Sequence, residues 1–220
     1  MSTLKEILEA HSLFSPLPIK VLESIVQRGQ QRSLSDGEIL LNQGVEWPYL
    51  FIVLNGEVNA VKESPEGRYL IAGNIKAGEI FWGLAFFIAG HLSPMVLQAS
   101  AETKICVWSR DFLTPIIRDH GEMSWELSQN LIKRMLHASG IVDDLAFQPV
   151  MGRLAGLILD QFSDAGDAAM ARFLTLDDMA ARIGTTREMV CRYLQRFSEQ
   201  GAIELSRTEI RIVDRGKLGG

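Results

Sequence analysis

The sequence predicts an α+β chain with three parts: an antiparallel β-roll, one long helix, and a pair of short helices followed by a β-hairpin. Short apolar runs separated by turn dipeptides fill residues 36–108. A coiled-coil pattern spans residues 122–147, and two capped amphipathic segments follow between residues 175 and 197. The predicted domains are residues 1–120 for the roll, 121–148 for the long helix and hinge, and 149–220 for the helical pair and hairpin.

The roll is predicted from its turns. After a helical pattern within Leu4–Gln27, apolar runs such as Tyr49–Leu54 and Glu57–Val61 alternate with turn signals. The turn dipeptides are Asp36-Gly37, Asn55-Gly56, Glu66-Gly67, Gly73-Asn74 and Ala77-Gly78. Turns at this short spacing favour an antiparallel sandwich or roll.

The long helix carries an apolar seam at alternating three- and four-residue steps, which is the pattern of a two-stranded coiled coil. The seam residues are Ser128, Leu131, Met135, Ala138, Val142 and Leu145. The seam predicts a homodimer, and a helix buried within one subunit is the alternative. Ile132, Leu136 and Ile141 lie beside the seam and are expected to pack on the roll. Gly140 weakens the helix and predicts a bend near it.

The helical pair has a cap at each helix start. Thr175 precedes the first helix, Gly184 marks the turn, and Thr185 with Glu188 three residues later predicts a capping box for the second helix. In that second helix one apolar stripe faces the core, made of Val190, Leu194 and Phe197. The remaining polar face of the helix therefore points outward.

That outward face carries base-reading chemistry. An arginine can donate two hydrogen bonds to guanine, and a glutamate can accept one from cytosine. The alternating segment Ala202–Val213 predicts a β-hairpin wing beside the helix. The predicted residues for double-stranded DNA are Thr185, Thr186, Arg187, Glu188, Arg192, Gln195 and Arg207. The alternative is a helical hairpin that packs on another protein.

Charge and composition narrow the class of protein. The net charge is −5, but residues 1–148 hold 12 Lys and Arg against 17 Asp and Glu, whereas residues 149–220 hold 10 of each. Four arginines and one glutamate between Arg182 and Arg196 make the second helix locally basic. The N-terminus has no signal-peptide pattern, and the apolar run Ile80–Ala89 is too short for a bilayer. We therefore expect a cytoplasmic protein with no membrane partner.

A β-roll, a long helix and a winged helix-turn-helix in this order resemble the CRP/FNR family of bacterial regulators. The segments that carry the resemblance are Asp36–Gly44, Leu54–Val58, Ala77–Glu79 and the Arg187, Glu188, Arg192 set. The resemblance implies a cyclic-nucleotide-binding-like jelly roll, a dimerisation helix and a transcriptional regulator that binds an inverted repeat. It implies half-sites like TGTGA, with Arg187 and Arg192 on guanines and Glu188 on cytosine, and RNA polymerase as a further partner.

The effector prediction departs from the cyclic-nucleotide members of that family, which place an arginine soon after the Gly-Glu turn. Residues 77–103 contain no Lys or Arg, so a buried cyclic phosphate would lack its cation, and cAMP and cGMP are disfavoured. The predicted effector pocket comprises Gly78, Glu79, Phe81, Trp82, Phe86, Phe87, Leu131 and Met135. The aromatic residues either line a cavity for an apolar ligand or haem, or simply fill the roll, and the second interpretation is favoured.

Cofactor chemistry is constrained by the count of ligands. His91 is the only local candidate for a haem ligand, with an exposed turn residue as its alternative role. Two cysteines, Cys106 and Cys191, are too few for an iron–sulfur cluster, which is therefore excluded. Cys191 lies among arginines, where oxidation could interfere with DNA binding.

Two other classes of function are weighed against a DNA-binding regulator. No His-x-His motif occurs, so a cupin-type enzyme is not expected. The other rival is a signalling module that does not bind DNA.

Overall fold

The computed structural model describes residues 3–64, 69–161, 170–171, 174–206 and 209–218. The chain divides into two compact units. Unit 1 comprises Met1–Glu63 with Ala72–His137, and unit 2 comprises Ser64–Ile71 with Ala138–Gly220. The boundary at His137 lies inside the segment 121–148 that the sequence predicts as one long helix and hinge. Within the described residues, no helix has the length and apolarity that crossing a bilayer requires.

Helices and strands follow the predicted order along the chain. The helices are α1 (Leu4–Ala10), α2 (Ile19–Arg28), α3 (Leu84–Phe87), α4 (Arg110–Asp119), α5 (Gly121–Phe147), α6 (Val150–Gln161), α7 (Leu176–Ile183) and α8 (Arg187–Glu199). The strands are β1 (Gln30–Leu34), β2 (Ile39–Leu41), β3 (Tyr49–Asn55), β4 (Glu57–Glu63), β5 (Tyr69–Lys76), β6 (Ile80–Trp82), β7 (Val96–Ala99), β8 (Thr103–Ser109), β9 (Met170–Ala171), β10 (Ile203–Leu205) and β11 (Glu209–Ile212).

Two four-stranded sheets build the roll, in the orders β1-β8-β3-β6 and β2-β7-β4-β5. Strand β8 pairs antiparallel with β1 and β3, β3 with β6, and β7 with β2 and β4. One core cluster packs α1, α2 and α4 onto β3, β6 and β8, and a second fills the space between the sheets. The predicted fold class is confirmed.

A buried hydrogen bond ties the N-terminal helices to the roll. The indole Nε1 of Trp108 on β8 donates to the carbonyl of Ile25 on α2 over 2.8 Å. Trp108 is fully buried and its ring lies 5.7 Å from that of Phe14. A buried indole needs an acceptor, and the end of α2 supplies one.

The predicted long helix is confirmed as α5, and it continues through Gly140 without a break in its helical backbone. Met123 and Leu127 are its buried apolar residues. The expectation that Ile132 and Leu136 pack on the roll is wrong, because both side chains are mostly exposed. The physical reason is the helical period. Only side chains on the same helix face as Met123 and Leu127 point toward the roll, and Ile132 and Leu136 lie on a different face. The predicted seam residues are all exposed in this chain, namely Ser128, Leu131, Met135, Ala138, Val142 and Leu145.

Unit 2 contains a three-helix core and a small sheet. Helices α6, α7 and α8 bury one shared cluster, which includes Leu154, Ile183 and Phe197. The sheet has the order β10-β11-β9, and β10 pairs with β11 as the predicted antiparallel hairpin. This arrangement is a helix-turn-helix followed by a wing.

The turn between α7 and α8 corrects one detail of the sequence prediction. Thr175 forms the predicted cap, and Gly184 adopts the left-handed conformation with φ of 64°. The amide of Thr185 donates to the carbonyl of Ala180 over 3.0 Å, so Thr185 closes the end of α7. The predicted capping box of Thr185 with Glu188 is therefore wrong, and the N-cap of α8 is Thr186, whose hydroxyl accepts from the amide of Met189.

Candidate nucleic-acid interface and sensor segment

Helix α8 has two chemically distinct faces. Val190, Leu194 and Phe197 are buried against α6 and α7, as their spacing predicts. The opposite face is exposed and carries the predicted reading residues Arg187, Glu188, Arg192 and Gln195, with Thr186 at the helix start. Thr185 is half-buried at the end of α7. A packed stripe on one side fixes the rotation of the helix, so the polar side chains are presented together.

Two ion pairs hold the arginines of this face. Nη1 of Arg187 lies 2.8 Å from Oδ2 of Asp177 on α7, and Nη2 of Arg192 lies 3.3 Å from Oε1 of Glu188 one turn earlier. Both arginine side chains are 64% exposed. Exposed ion pairs are weak, so a stronger anionic or base partner can replace them.

The wing next to α8 is partly described. Glu204 on β10 pairs with Arg211 on β11 over 3.4 Å, and both side chains face solvent. The predicted DNA-binding residue Arg207 lies outside the described residues. Its role remains a prediction from the sequence.

Arg153 joins the ends of two helices within unit 2, a role that the sequence prediction missed. Its Nη1 donates to the carbonyls of Asp144 and Gln148 at the end of α5, over 3.2 and 2.6 Å. Its Nε donates to the carbonyl of Ile183, the last residue of α7, over 2.8 Å. The last carbonyls of a helix lack intrahelical partners, and a cation also suits the negative end of the helix dipole. One guanidinium therefore caps α5 and α7 together.

The predicted effector segment contributes mainly to the core of the roll. Trp82 on β6 and Phe86 on α3 are buried in the same cluster as Leu127 of α5. Phe87, one residue later, is 53% exposed, and its ring packs edge-on against those of Trp82 and Phe86. Leu131 and Met135 are exposed on α5.

The predicted pocket residues at the turn before β6 have local roles. Gly78 has φ of 86°, a conformation that favours glycine, and its amide donates to the carbonyl of Val53. The carboxylate of Glu79 accepts from the amide of Lys76 over 2.9 Å. These contacts hold the turn between β5 and β6.

Arg134 of α5 reaches the same segment, and the sequence prediction missed it. Its guanidinium carbon lies 4.6 Å from the ring centre of Phe81 and 4.3 Å from that of Trp82, and Nη2 donates to the carbonyl of Ile80. Burial lowers the pKa of Arg134 to about 10, and the carboxylate of Glu79 opposes that shift. The side chain is therefore charged at neutral pH, so a cation does lie on a segment that has none of its own.

The histidine and cysteine candidates are separated from one another. His91 is exposed and directly follows the turn after α3. Cys106 is buried on β8, where desolvation raises its pKa to about 12, while Cys191 is exposed on α8. Among the described residues, no group of three His, Cys, Asp or Glu side chains is placed to hold a metal ion.

Comparison with known proteins gives two matches to family models. Residues 31–120 match the cyclic nucleotide-binding domain, and residues 152–219 match the Crp-like helix-turn-helix domain. The chain belongs to the CRP/FNR family of transcriptional regulators. It is thus a DNA-binding transcriptional regulator of this family, whose members are typically not enzymes.

Similar members of the CRP/FNR family match most of the chain. A CRP-like cAMP-activated global transcriptional regulator of Mycobacterium tuberculosis is 26% identical over 220 residues, covering 97% of each chain. The cAMP-activated global transcriptional regulator Vfr of Pseudomonas aeruginosa is 25% identical and covers 85% of this chain and 91% of its own.

Solved structures show the same fold. A putative CRP/FNR regulator from Eubacterium rectale superposes with a TM-score of 0.77 at 19% identity, covering 94% of this chain and 95% of that one. The c-di-GMP responsive regulator CLP of Xanthomonas campestris also gives a TM-score of 0.77 at 19% identity, over 89% and 99% of the chains. At these identities the likeness concerns the fold alone.

Proposed function

We propose that the chain acts as a homodimer that recognises an inverted repeat, with one α8 helix reading each half-site. The observation that carries this proposal is the exposed face of α8, on which Arg187, Glu188 and Arg192 lie together opposite a buried apolar stripe. The two arginines bind guanines of a TGTGA-like half-site, and Glu188 accepts from the cytosine opposite one of them. Thr186 and Gln195 contact the flanking backbone or base edges.

The dimer in this proposal forms along α5. Its predicted seam is exposed over several turns, and further large apolar residues of the helix, such as Trp125 and Phe147, are exposed as well. A helix face of this kind is stable in water when a second copy covers it. A twofold axis along α5 places the two reading helices on an inverted repeat, about one turn of DNA apart. The DNA partner makes the cytoplasm the expected compartment, with RNA polymerase as a further partner.

The effector in this proposal is not a cyclic nucleotide: it is an apolar small molecule or haem, or none. Trp82 and Phe86 fill the core at the predicted pocket, and the two cations that reach this segment are already engaged: the Arg134 guanidinium lies against two aromatic rings, and Arg110 donates to the carbonyl of Ala85. Residues 77–103 supply no Lys or Arg for a phosphate.

A cyclic-nucleotide-responsive regulator is the second candidate. It is favoured by the match of residues 31–120 to the cyclic nucleotide-binding domain and by the cAMP-activated relatives. Arg134 is the group that would meet a phosphate in this alternative. Calorimetric titration of the purified protein with cAMP and cGMP decides between the two, since saturable binding of either nucleotide would reject the preferred effector class. An absorption spectrum of fresh protein tests haem directly through its Soret band.

The test of DNA recognition is selection from random oligonucleotides with the full chain. The expected result is a palindromic consensus with two guanine-containing half-sites, bound by a species that sediments as a dimer. Binding of equal strength to every sequence would favour a signalling module that does not read DNA. A persistent monomer on operator DNA would reject the twofold arrangement.

A further inference from the structure

Arg134 occupies a position where an apolar residue is expected. It lies seven residues after Leu127 and eleven after Met123, so all three share the inward face of α5. Met123 and Leu127 are buried in the core of the roll. Placing a guanidinium on this face costs free energy unless other groups replace its lost hydration.

The segment Ile80–Trp82 supplies those replacements. The rings of Phe81 and Trp82 lie within 4.6 and 4.3 Å of the guanidinium carbon, and the carbonyl of Ile80 accepts from Nη2. Aromatic faces attract a cation, and a guanidinium stacks on them better than an ammonium because it is planar and weakly hydrated. Glu79 adds a favourable negative charge nearby. These groups together have the chemistry of a binding site for a planar cation.

We propose that Ile80, Phe81 and Trp82 form a guanidinium-binding site whose occupant is the side chain of Arg134, and that this internal occupant fastens α5 to the roll in place of a diffusible effector. The site links β6 to the part of α5 that contains Arg134, and both of these lie in unit 1, while the predicted dimer seam continues along the same helix. An effector that bridged β6 and α5 would have to make the same connection. The consequence for DNA affinity rests on the proposed function, whereas the existence of the site does not.

Chemical rescue tests the site in the full-length protein. The variant Arg134→Ala removes the atoms that ethylguanidinium contains, so millimolar ethylguanidinium is expected to raise the melting temperature of this variant and leave the original protein unchanged. Ethylammonium has the charge without the planar fork and is expected to have no effect. Lys133→Ala, at the exposed neighbouring position, removes the same charge and is the matched control.

Operator affinity is the second measurement. Arg134→Ala is expected to weaken binding to the selected operator by about fivefold or more, the lower range of allosteric coupling, with recovery on addition of ethylguanidinium. Lys133→Ala is expected to bind like the original protein. A purely structural role of Arg134 would lower the melting temperature without recovery of DNA affinity by the added cation.

Two further variants keep the proposal open to refutation if Arg134→Ala fails to fold. Arg134→Lys retains the charge and Arg134→Gln retains a planar donor, and both are expected to fall between the original protein and Arg134→Ala in operator affinity. Operator affinity unchanged in all three variants would overturn the proposal. So would rescue by ethylammonium as effective as that by ethylguanidinium, or saturable cAMP binding that is lost in Arg134→Ala, which would make Arg134 an anion anchor. If no operator is found, the proposed function fails while rescue of the melting temperature still tests the site.

Discussion

Helix α8 and the segment Ile80–Phe87 both combine apolar residues with candidate functional ones, but they separate the two in different ways. In α8, packing and reading lie on opposite faces, because the helical period assigns Phe197 to the core and Arg187 to solvent. In the segment Ile80–Phe87, one aromatic residue can serve the core and a pocket at once. Function at an exposed helix face is therefore readable from residue spacing, whereas function within a core is not.

The strongest test of this difference is truncation in the aromatic segment. Phe86→Ala is expected to lower the free energy of unfolding by about 3–5 kcal/mol, because the side chain is almost fully buried. Phe87→Ala, at the adjacent and largely exposed position, is the control and should cost far less. Denaturant unfolding followed by circular dichroism measures both. Equally small losses of unfolding free energy in both variants would indicate a cavity around Phe86. The aromatic segment would then not differ from α8 in the way described above.

Truncation of a side chain on the exposed face of α8 should lower DNA affinity without lowering the stability of the fold. Arg187→Ala is expected to cost about 1–3 kcal/mol of operator binding and to relax preference at one base pair, without loss of folding free energy. The control is Arg196→Ala, exposed in the last turn of the same helix. Fluorescence anisotropy against operators with single base changes measures the effect. Uniform weakening on all sequences would assign Arg187 to the phosphate backbone.

The dependence of stability on pH tests a part of unit 1 outside the segment Ile80–Phe87, namely the surroundings of His11. Burial lowers the pKa of His11 from 6.5, and Nδ1 of its ring accepts from the amide of Leu13 over 3.1 Å. The pKa of His11 is lower in the folded protein than in the unfolded chain. The stabilisation that the buried, neutral ring gives to the fold is therefore fully present above pH 6.5 and is lost as pH falls through the folded pKa. Thermal melts between pH 5 and 8 should show the loss, and His11→Asn should reduce it. An unchanged pH profile in His11→Asn would place the dependence elsewhere.

The smallest expected effect concerns the ion pair beside the reading face. Asp177→Asn removes the carboxylate that holds Arg187, and an exposed pair is worth about 1 kcal/mol or less. The variant is expected to bind non-specific DNA slightly more tightly, with folding unchanged, because one more unneutralised cation faces the phosphates. Glu204→Gln in the exposed pair on the wing is the matched control. Gel-shift titrations at two salt concentrations measure the change, and weaker non-specific binding in Asp177→Asn would contradict it.

The order of elements was predictable because local signals agree with the fold. Glycine turns, the apolar seam of α5 and the stripe of α8 each depend on residues close together in sequence. The sequence pattern places the cap of α8 one residue too early, because two threonines in succession have the same capping chemistry. The choice depends on the amide of Thr185, which bonds to Ala180 and so belongs to α7.

Two arginines could not be assigned from the sequence. Arg134 and Arg153 are single charges within helices, and such residues are usually solvated. Their roles depend on groups 54 and 30 residues away, at Ile80 and Ile183. Residues 77–103 contain no Lys or Arg, but the fold brings cations to this segment from α4 and α5. Predictions of effector chemistry from one segment therefore miss what a distant helix contributes.

The shared cap at Arg153 has a consequence for the way in which movement passes through unit 2. One guanidinium binds the carbonyl ends of both α5 and α7. The last turn of α5 and the helix α7 are therefore expected to move together. Rotation of α7 relative to the last turn of α5, about the connection at Gln148 and Pro149, requires these hydrogen bonds to break. A displacement of the last turn of α5 is therefore expected to move α7, the first helix of the helix-turn-helix, rather than to be absorbed at the short connection after α5.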